Sequence, residues 1–360
     1  MTKTKSKTIL LGAGKIGETI THLLHSSGDY ELTVADQDTA RLAPIGALGV
    51  RTARADFASQ ERLRDLIRGN EIVISATPFH LTPPIAEAAV ASGAHYCDLT
   101  EDVESTRRVK ALAKGASTAL VPQCGLAPGF ISILAHSMTR KFDSLRDVQM
   151  RVGALPVYPT NALKYNLTWS TDGLINEYCN PCEAIIDGRR IETLALEEIE
   201  AFSLDGIAYE AFNTSGGLGT LCDTLAGRVE NLNYKTVRYP GHRDLVKMLI
   251  RDLRLGQRRE ILKDVLEASV PMTHQDVVLV FVTVSGSREG RLTQESFAKK
   301  IYSATIDGGL YSAIQITTAA GICAMVDLLR EGALPKRGFV RQEDADLERF
   351  LANRFGRYYA

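Results

Sequence analysis

The run Gly12-Ala-Gly14-Lys15-Ile16-Gly17 directly follows a short apolar stretch, residues 8–11, and opens an amphipathic one. A G-x-G-x-x-G run in that setting predicts a strand, a tight turn and a helix. Gly12 allows the turn, Gly14 lets backbone approach a pyrophosphate, and Gly17 lets the helix pack on the strand, while the helix N-terminus faces the anion with the amides around Lys15 and Ile16. Asp36 lies 19 residues beyond Gly17, at the end of the next apolar run. A carboxylate there accepts hydrogen bonds from ribose hydroxyls and repels a 2′-phosphate, which favours NAD over NADP. Arg41, one turn later, is the group that would argue for NADP. The fourth apolar run ends at Ala76-Thr77, a carboxyl edge where ligands sit in open α/β sheets, so both residues are expected to border the cofactor. Asp56, after the third run, either lines the adenine pocket or caps a helix.

Further chemistry-bearing groups fall at the next two strand ends. Tyr96-Cys-Asp98-Leu-Thr-Glu101-Asp102 carries three acids. Asp98 or Glu101 can deprotonate an amine, or the cluster, through Thr100 or Asp102, can cap a helix starting near residue 103. Pro122-Gln-Cys124-Gly-Leu-Ala-Pro128-Gly129 forces a special backbone, with Cys124 either chemically active or a buried filler. Cys179-Asn-Pro-Cys182 spells C-x-x-C but has no companion ligands, so no metal is expected. Residues 235–243, Lys-Thr-Val-Arg238-Tyr-Pro-Gly-His242-Arg, read as a loop presenting donors, in which Arg238 can clamp a carboxylate and His242 can exchange a proton.

The elements that must position these groups are parallel strands at 8–11, 31–35, 50–53, 71–76, 94–97 and 119–121 with helices between them, the pattern of a complete doubly wound sheet. After Gly129 the alternation stops. A helix-like 130–142 leads to apolar segments at 148–152, 163–170 and 183–186, a charged helical stretch at 244–266, an apolar strand at 277–284 and a partner strand at 298–306. Residues 312–329 read as a buried helix ended by Gly332 and Pro335, packing back on the first domain. The expected fold is therefore α/β, a Rossmann sheet (1–129) with a second α+β domain (130–311) inserted before a C-terminal helical segment (312–360) that returns to the first.

The chain has 360 residues, with 42 basic against 43 acidic side chains and six cysteines. That length suits two cores, and the balanced charge gives no field to hold nucleic acid or an anionic membrane. The basic start at 1–8 precedes a strand too short for a signal core or a membrane span, and the sparse cysteines suit reduced thiols, so the expected location is the cytoplasm.

In order along both halves, these motifs make the chain resemble the saccharopine dehydrogenase superfamily, and within it the lysine 6-dehydrogenase branch. The stretches that carry the likeness are residues 11–17, 96–102, 124–129 and Val152-Gly-Ala-Leu-Pro156, then Leu163-Lys164-Tyr165, Trp169-Ser170, Gly173-Leu-Ile-Asn-Glu-Tyr178, Thr214-Ser-Gly-Gly217 and 238–242. The relative that makes saccharopine carries Asn-Pro-Leu-x-Tyr before its Trp-Ser. Here Asn161-Ala-Leu-Lys-Tyr165 lacks that proline, which leans toward the lysine branch. The resemblance implies a homodimer that oxidatively removes a side-chain amine from lysine or a close relative, with hydride passing to a nicotinamide and an aldehyde that cyclises. It places Cys124, Lys164, Tyr165, Trp169 and Arg238 on the substrate, with Asp98, Glu101 or His242 handling the proton. A saccharopine-type reaction on a secondary amine would need a second carboxylate clamp from Lys164 or Arg243. A catalytically silent dinucleotide sensor is the reading from another class.

Overall fold

A computed structural model describes residues 5–306 and 308–360. Met1–Thr4, part of the basic start, and Asp307 lie outside the described residues. The chain divides into two compact units, one formed by residues up to Phe130 together with Gln315–Ala360, the other by Ile131–Ile314.

In the first unit β1 (Ser6–Leu11), β2 (Tyr30–Asp36), β3 (Arg51–Arg54), β4 (Ile72–Ser75), β5 (His95–Asp98) and β6 (Ala119–Val121) fall where the apolar runs predict them. The C-terminal segment is not purely helical: Gly338–Phe339 adds a seventh strand beside β6. All seven run parallel in the order Gly338–Phe339, β6, β5, β4, β1, β2, β3. The order reverses between β1 and β4, the kind of switch point at whose carboxyl ends open α/β sheets bind ligands. Ile9, Leu11, Val73, Ile85, Tyr96 and Leu120 are buried in the core, and burial of each large apolar group contributes roughly 1.5–3 kcal/mol.

The helix Ala313–Arg330 is long and apolar enough to cross a membrane, and 89% of it is buried inside the protein. Its composition serves packing. In the first unit Asp327 on this helix accepts hydrogen bonds from the Tyr30 hydroxyl (2.7 Å), Asn353 (2.9 Å) and Arg354 (2.9 Å), tying the returning segment to β2 and to the C-terminus.

The second unit is built on β7 (Ser144–Pro156), β8 (Cys182–Ile186), β9 (Arg189–Thr193), β10 (Glu200–Leu204), β11 (Ile207–Asn213), β12 (Val229–Arg238), β13 (Asp276–Arg288) and β14 (Arg291–Tyr302). The main path is β10, β11, β12, β7, β13, β14, with β8 and β9 attached to β12. Among the described residues of this sheet β7 and β12 alone run parallel, and the other pairs are antiparallel. From Val280 onward β13 alternates fully buried Val280, Val282 and Val284 with half-buried Phe281, Thr283 and Ser285, as a one-sided sheet requires.

Residues 163–170, read as an apolar segment, have an irregular backbone, with Lys164 in a left-handed conformation and one bridge from Leu167 to Met272. Three expectations are corrected here. The stretch 244–266 is not one helix but His242–Lys247, a π-turn at Met248–Asp252, a short 3-10 turn and Arg259–Ser269, broken where Arg254 turns left-handed. β14 begins at Arg291, before the expected partner strand, and Ala304–Ile306 turns away to pair with Gly309–Tyr311. The loop expected at 235–243 is instead the end of β12, a Tyr-Pro-Gly turn and the start of a helix.

Candidate functional site

In the first unit the glycine run sits at the end of β1. Gly12 has φ +101°, and a Cβ there would lie 2.5 Å from the Ala76 carbonyl oxygen, so only glycine permits this approach to the end of β4. A Cβ on Gly17 would overlap the Gly12 carbonyl. The helix Lys15–Ser27 starts on Gly14 with no side-chain cap, and the N-terminus of such a helix is where an anion is favoured. Lys15 is exposed and Ile16 half-buried at that first turn.

Asp36 is 6% exposed, and its two oxygens accept from Ala13 N (2.7 Å) and Asp38 N (2.8 Å). The carboxylate thus braces the glycine turn at the place where a ribose would lie. Arg41 stands 3.9 Å from a Cβ position on Gly14 and is held by Asp38 at 3.4 Å. Ala76 and Thr77 border the same turn, the Thr77 hydroxyl 2.9 Å from Ser75 Oγ. A helix start without a side-chain cap, a close-approach turn and a ribose-level acid together fit a dinucleotide. Asp56 is exposed and closes its own turn by accepting from Ala58 N at 3.0 Å; Ser59 is the residue that caps the following helix.

At the end of β5, Asp98 is almost wholly buried. Its Oδ1 accepts from Thr100 N (2.9 Å) and Gln123 N (3.0 Å), while Oδ2 has no hydrogen-bond partner. Burial pushes its pKa up to about 6 against the pull of those two amides. Asp98 therefore holds Gln123, which is buried with φ +67°, and titrates near neutrality. Glu101 is half-exposed, and Asp102 is the cap, its carboxylate accepting from Ser105 N at 2.7 Å. Cys124 is fully buried, its thiol donating to Val121 O (3.0 Å) and meeting Gln342 Nε2 at 3.3 Å; burial drives the thiol pKa well up. That favours the buried filler over a substrate contact.

In the second unit Arg238, at the end of β12, is 2% exposed. Its Nε donates to the Tyr178 hydroxyl at 2.9 Å and Nη1 to Val237 O at 2.8 Å, and the guanidinium lies 4.9 Å from the Tyr165 ring centroid. Nη2 makes no hydrogen bond among the described residues. His242 Nδ1 is 2.8 Å from the Leu163 carbonyl, which can only accept, so Nδ1 carries the proton and Nε2 accepts from Tyr178. Burial, and then the neighbouring Arg238 charge, push His242 down to about 3. His242 is consequently a neutral brace with its lone pair occupied, and the expectation that it exchanges the proton is corrected.

Tyr165 is buried beside Arg238, and its hydroxyl has no partner; nor has Thr168 Oγ1. Trp169 is half-buried in the same cluster. Lys164 is exposed and donates to Pro240 O at 2.9 Å, and Lys235 is buried against Glu200 at 2.7 Å, so neither is a free donor. Sequence patterns alone assign no role to Tyr178, Gln123 or Glu210. Glu210 accepts from Gly241 N (2.8 Å) and Arg243 N (2.7 Å), fixing the turn that starts the His242 helix. Tyr178 does lie inside the motif at 173–178, but only the strand-to-helix packing shows what it touches. The C-x-x-C pair is a helix end and a strand start, and among the described residues no group of three potential metal ligands occurs.

Comparison with known proteins follows the same division. Residues 8–121 match the family described as the saccharopine dehydrogenase NADP binding domain, and residues 125–356 match the saccharopine dehydrogenase C-terminal domain. The mitochondrial alpha-aminoadipic semialdehyde synthase of Bos taurus is 22% identical over 317 residues, 83% of this chain and 33% of that protein. The saccharopine dehydrogenase [NADP(+), L-glutamate-forming] of Saccharomyces cerevisiae is 23% identical over 67% of this chain and 57% of its own length. The chain thus spans a third to somewhat over half of these relatives. Among solved structures, apo saccharopine dehydrogenase (L-Glu forming) from Saccharomyces cerevisiae superposes with a TM-score of 0.78 at 16% identity, covering 96% of this chain and 97% of that one.

Proposed function

Because this protein belongs to the saccharopine dehydrogenase family, we propose that it is a nicotinamide-dependent oxidoreductase acting on a carbon–nitrogen bond in the side chain of an amino acid, with the terminal amine of lysine as the leading substrate. The observation that carries this reading is Arg238: a buried cation with Nε and Nη1 fixed by Tyr178 and Val237, leaving one edge for a carboxylate. The orphaned Tyr165 hydroxyl beside it is a second contact for the same group. The bound dinucleotide supplies the hydride acceptor. Asp98, with a pKa near 6, is the protein's own group suited to take a proton from an ammonium at neutral pH, and Glu101 is its rival. Asp36 supports NAD by placing negative charge at the ribose.

Two observations favour second readings. Arg243 Nε is buried without a partner, and as a further carboxylate clamp it would suit a secondary amine joining two amino acids. Arg41 beside Gly14 would suit NADP, in keeping with the name of the matched N-terminal family. The test is production of reduced cofactor from lysine, saccharopine and a panel of diamines and amino acids, each with NAD and NADP. Turnover of lysine with NAD supports the leading reading, saccharopine turnover replaces it with the second, and binding without turnover of any amine points to a sensor.

A further inference from the structure

A carboxylate that takes a proton from a substrate must be reachable, and Asp98 is 1% exposed. Its Oδ1 is spent on the backbone amides of Thr100 and Gln123, which leaves the buried, unpartnered Oδ2 to receive the proton. In the first unit β4 and β5 run parallel with Val73 beside Tyr96 and Ser75 beside Asp98. Side chains alternate along a strand, so Ser75, Tyr96 and Asp98 all leave the sheet on one face.

Tyr96 and Ser75 are buried as well. The Tyr96 hydroxyl donates to Thr82 O across 3.4 Å, a long bond that holds it weakly. Burial pushes this phenol far above its usual range, the Asp98 charge pushes the same way, and Ser75 and Thr82 pull against both. The hydroxyl thus stands within interacting distance of the Asp98 carboxylate and of the Ser75 hydroxyl, although Oδ2 takes no hydrogen bond in this arrangement. Ser75 Oγ is in turn 2.9 Å from Thr77 Oγ1, a pair in which either can donate. Thr77 is half-buried, and its amide lies 3.4 Å from a Cβ position on Gly12, so the file of hydroxyls ends beside the glycine turn.

We propose that Tyr96 and Ser75 form a proton relay joining Asp98 Oδ2 to Thr77 at the glycine turn, an inference that rests on the reading of Asp98 as the proton acceptor. An N–H bond of the substrate ammonium breaks and its proton joins Thr77 Oγ1. The Thr77 hydroxyl proton passes to Ser75 Oγ, that of Ser75 to Tyr96 Oη, and that of Tyr96 to Asp98 Oδ2. At each hydroxyl one O–H bond forms as another breaks, the amine keeps the electron pair, and Asp98 ends neutral. The shift is concerted, because a phenol so far above its usual range does not ionise on the way. The Cys124 thiol, pushed well up by burial and then by Cys97 and the Asp98 charge, is committed to Val121 O and offers no parallel route.

The first test needs no substrate. In the full-length protein a rapid jump from acid to alkaline of the Asp98 value near 6 removes its proton, followed as loss of the protonated carboxyl band in the infrared and assigned by the absence of that band in Asp98→Asn. Ser75→Ala should slow the loss about tenfold or more and leave its equilibrium midpoint unchanged. Tyr96→Phe should slow it and also raise the midpoint, since the phenol helps to hold Asp98 down. Ser75→Thr keeps a hydroxyl and should restore the rate. In turnover Ser75→Ala and Tyr96→Phe should each lower kcat about 10²-fold with NADH binding retained, and Ser75→Thr should recover it. Ser75→Ala that loses the proton at the wild-type rate overturns the relay, as does a slowing that Ser75→Thr does not reverse, which marks a structural role. An Asp98 band that does not titrate near neutrality, or full activity in Asp98→Asn, removes the acceptor itself and the relay with it.

Discussion

The Tyr178 hydroxyl donates to His242 Nε2 across 3.0 Å, a direction fixed because His242 Nδ1 must spend its proton on the Leu163 carbonyl. Arg238 Nε in turn donates to the same hydroxyl at 2.9 Å. The row sets a cation in place with no proton to give away. Tyr178→Phe leaves a buried guanidinium N–H and a buried imidazole nitrogen unpaired, and should cost about 2–4 kcal/mol of stability by denaturant titration. It should also raise KM more than it lowers kcat. A variant as stable as the wild type would show that the row relaxes around its loss.

Two buried groups give opposite pH slopes. His242 titrates at about 3 in the folded protein against an ordinary 6.5, so the unfolded state takes a proton that the native one refuses. Its contribution is full above pH 6.5 and is lost toward pH 3, by at most about 1.4 kcal/mol per unit. Asp98, raised to about 6 from 3.8, contributes stability that is present below 3.8 and lost as pH rises through 6. Stability measured from pH 4 to 7 should therefore fall less on acidification in His242→Gln, and more in Asp98→Asn, than in the wild type. Parallel curves for all three would contradict both assignments.

Arg238 and Asp98 should fail in different ways as enzyme variants. Arg238→Lys keeps the charge but loses the fork, so KM should rise about 10- to 100-fold with kcat less affected. Asp98→Asn keeps the Oδ1 acceptor for Thr100 and Gln123 but cannot take a proton. It should lower kcat about 10²- to 10⁴-fold and remove the limb of the pH profile near 6. Full activity in Asp98→Asn would leave it a brace for the Gln123 turn and move the proton to Glu101.

Asp36→Ala should weaken NADH binding by about 1–3 kcal/mol, read by fluorescence titration, since it removes the proposed ribose acceptor and releases the Ala13 and Asp38 amides. NADPH should lose less or gain, because the repelling charge is gone. Equal losses for both cofactors would mean that Asp36 acts only through the turn.

Cys179→Ser with Cys182→Ser should leave turnover and metal content unchanged. Burial drives both thiols up, Cys182 to about 12, which makes them poor nucleophiles and poor metal ligands at neutral pH. Elemental analysis and steady-state rates check it.

The sequence alone determined what is local or periodic. Apolar runs of strand length placed β1 to β6, and the glycine spacing placed the tight turn after β1, because a backbone that nearly touches Ala76 admits no side chain at Gly12. What it left open depended on partners far along the polypeptide. His242 read as a titratable loop residue because histidine ordinarily titrates near neutrality; only burial against Arg238, Tyr178 and the Leu163 carbonyl makes it a neutral brace. Asp98 and Asp102 look alike in a run of acids, yet one holds Gln123 from a neighbouring strand end while the other caps its own helix. The seventh strand, Gly338–Phe339, is two residues with no pattern of its own, and it exists because β6 offers an open edge. Local spacing fixes a turn or a helix, whereas the ionisation and role of a buried group are set by neighbours that tertiary packing brings to it.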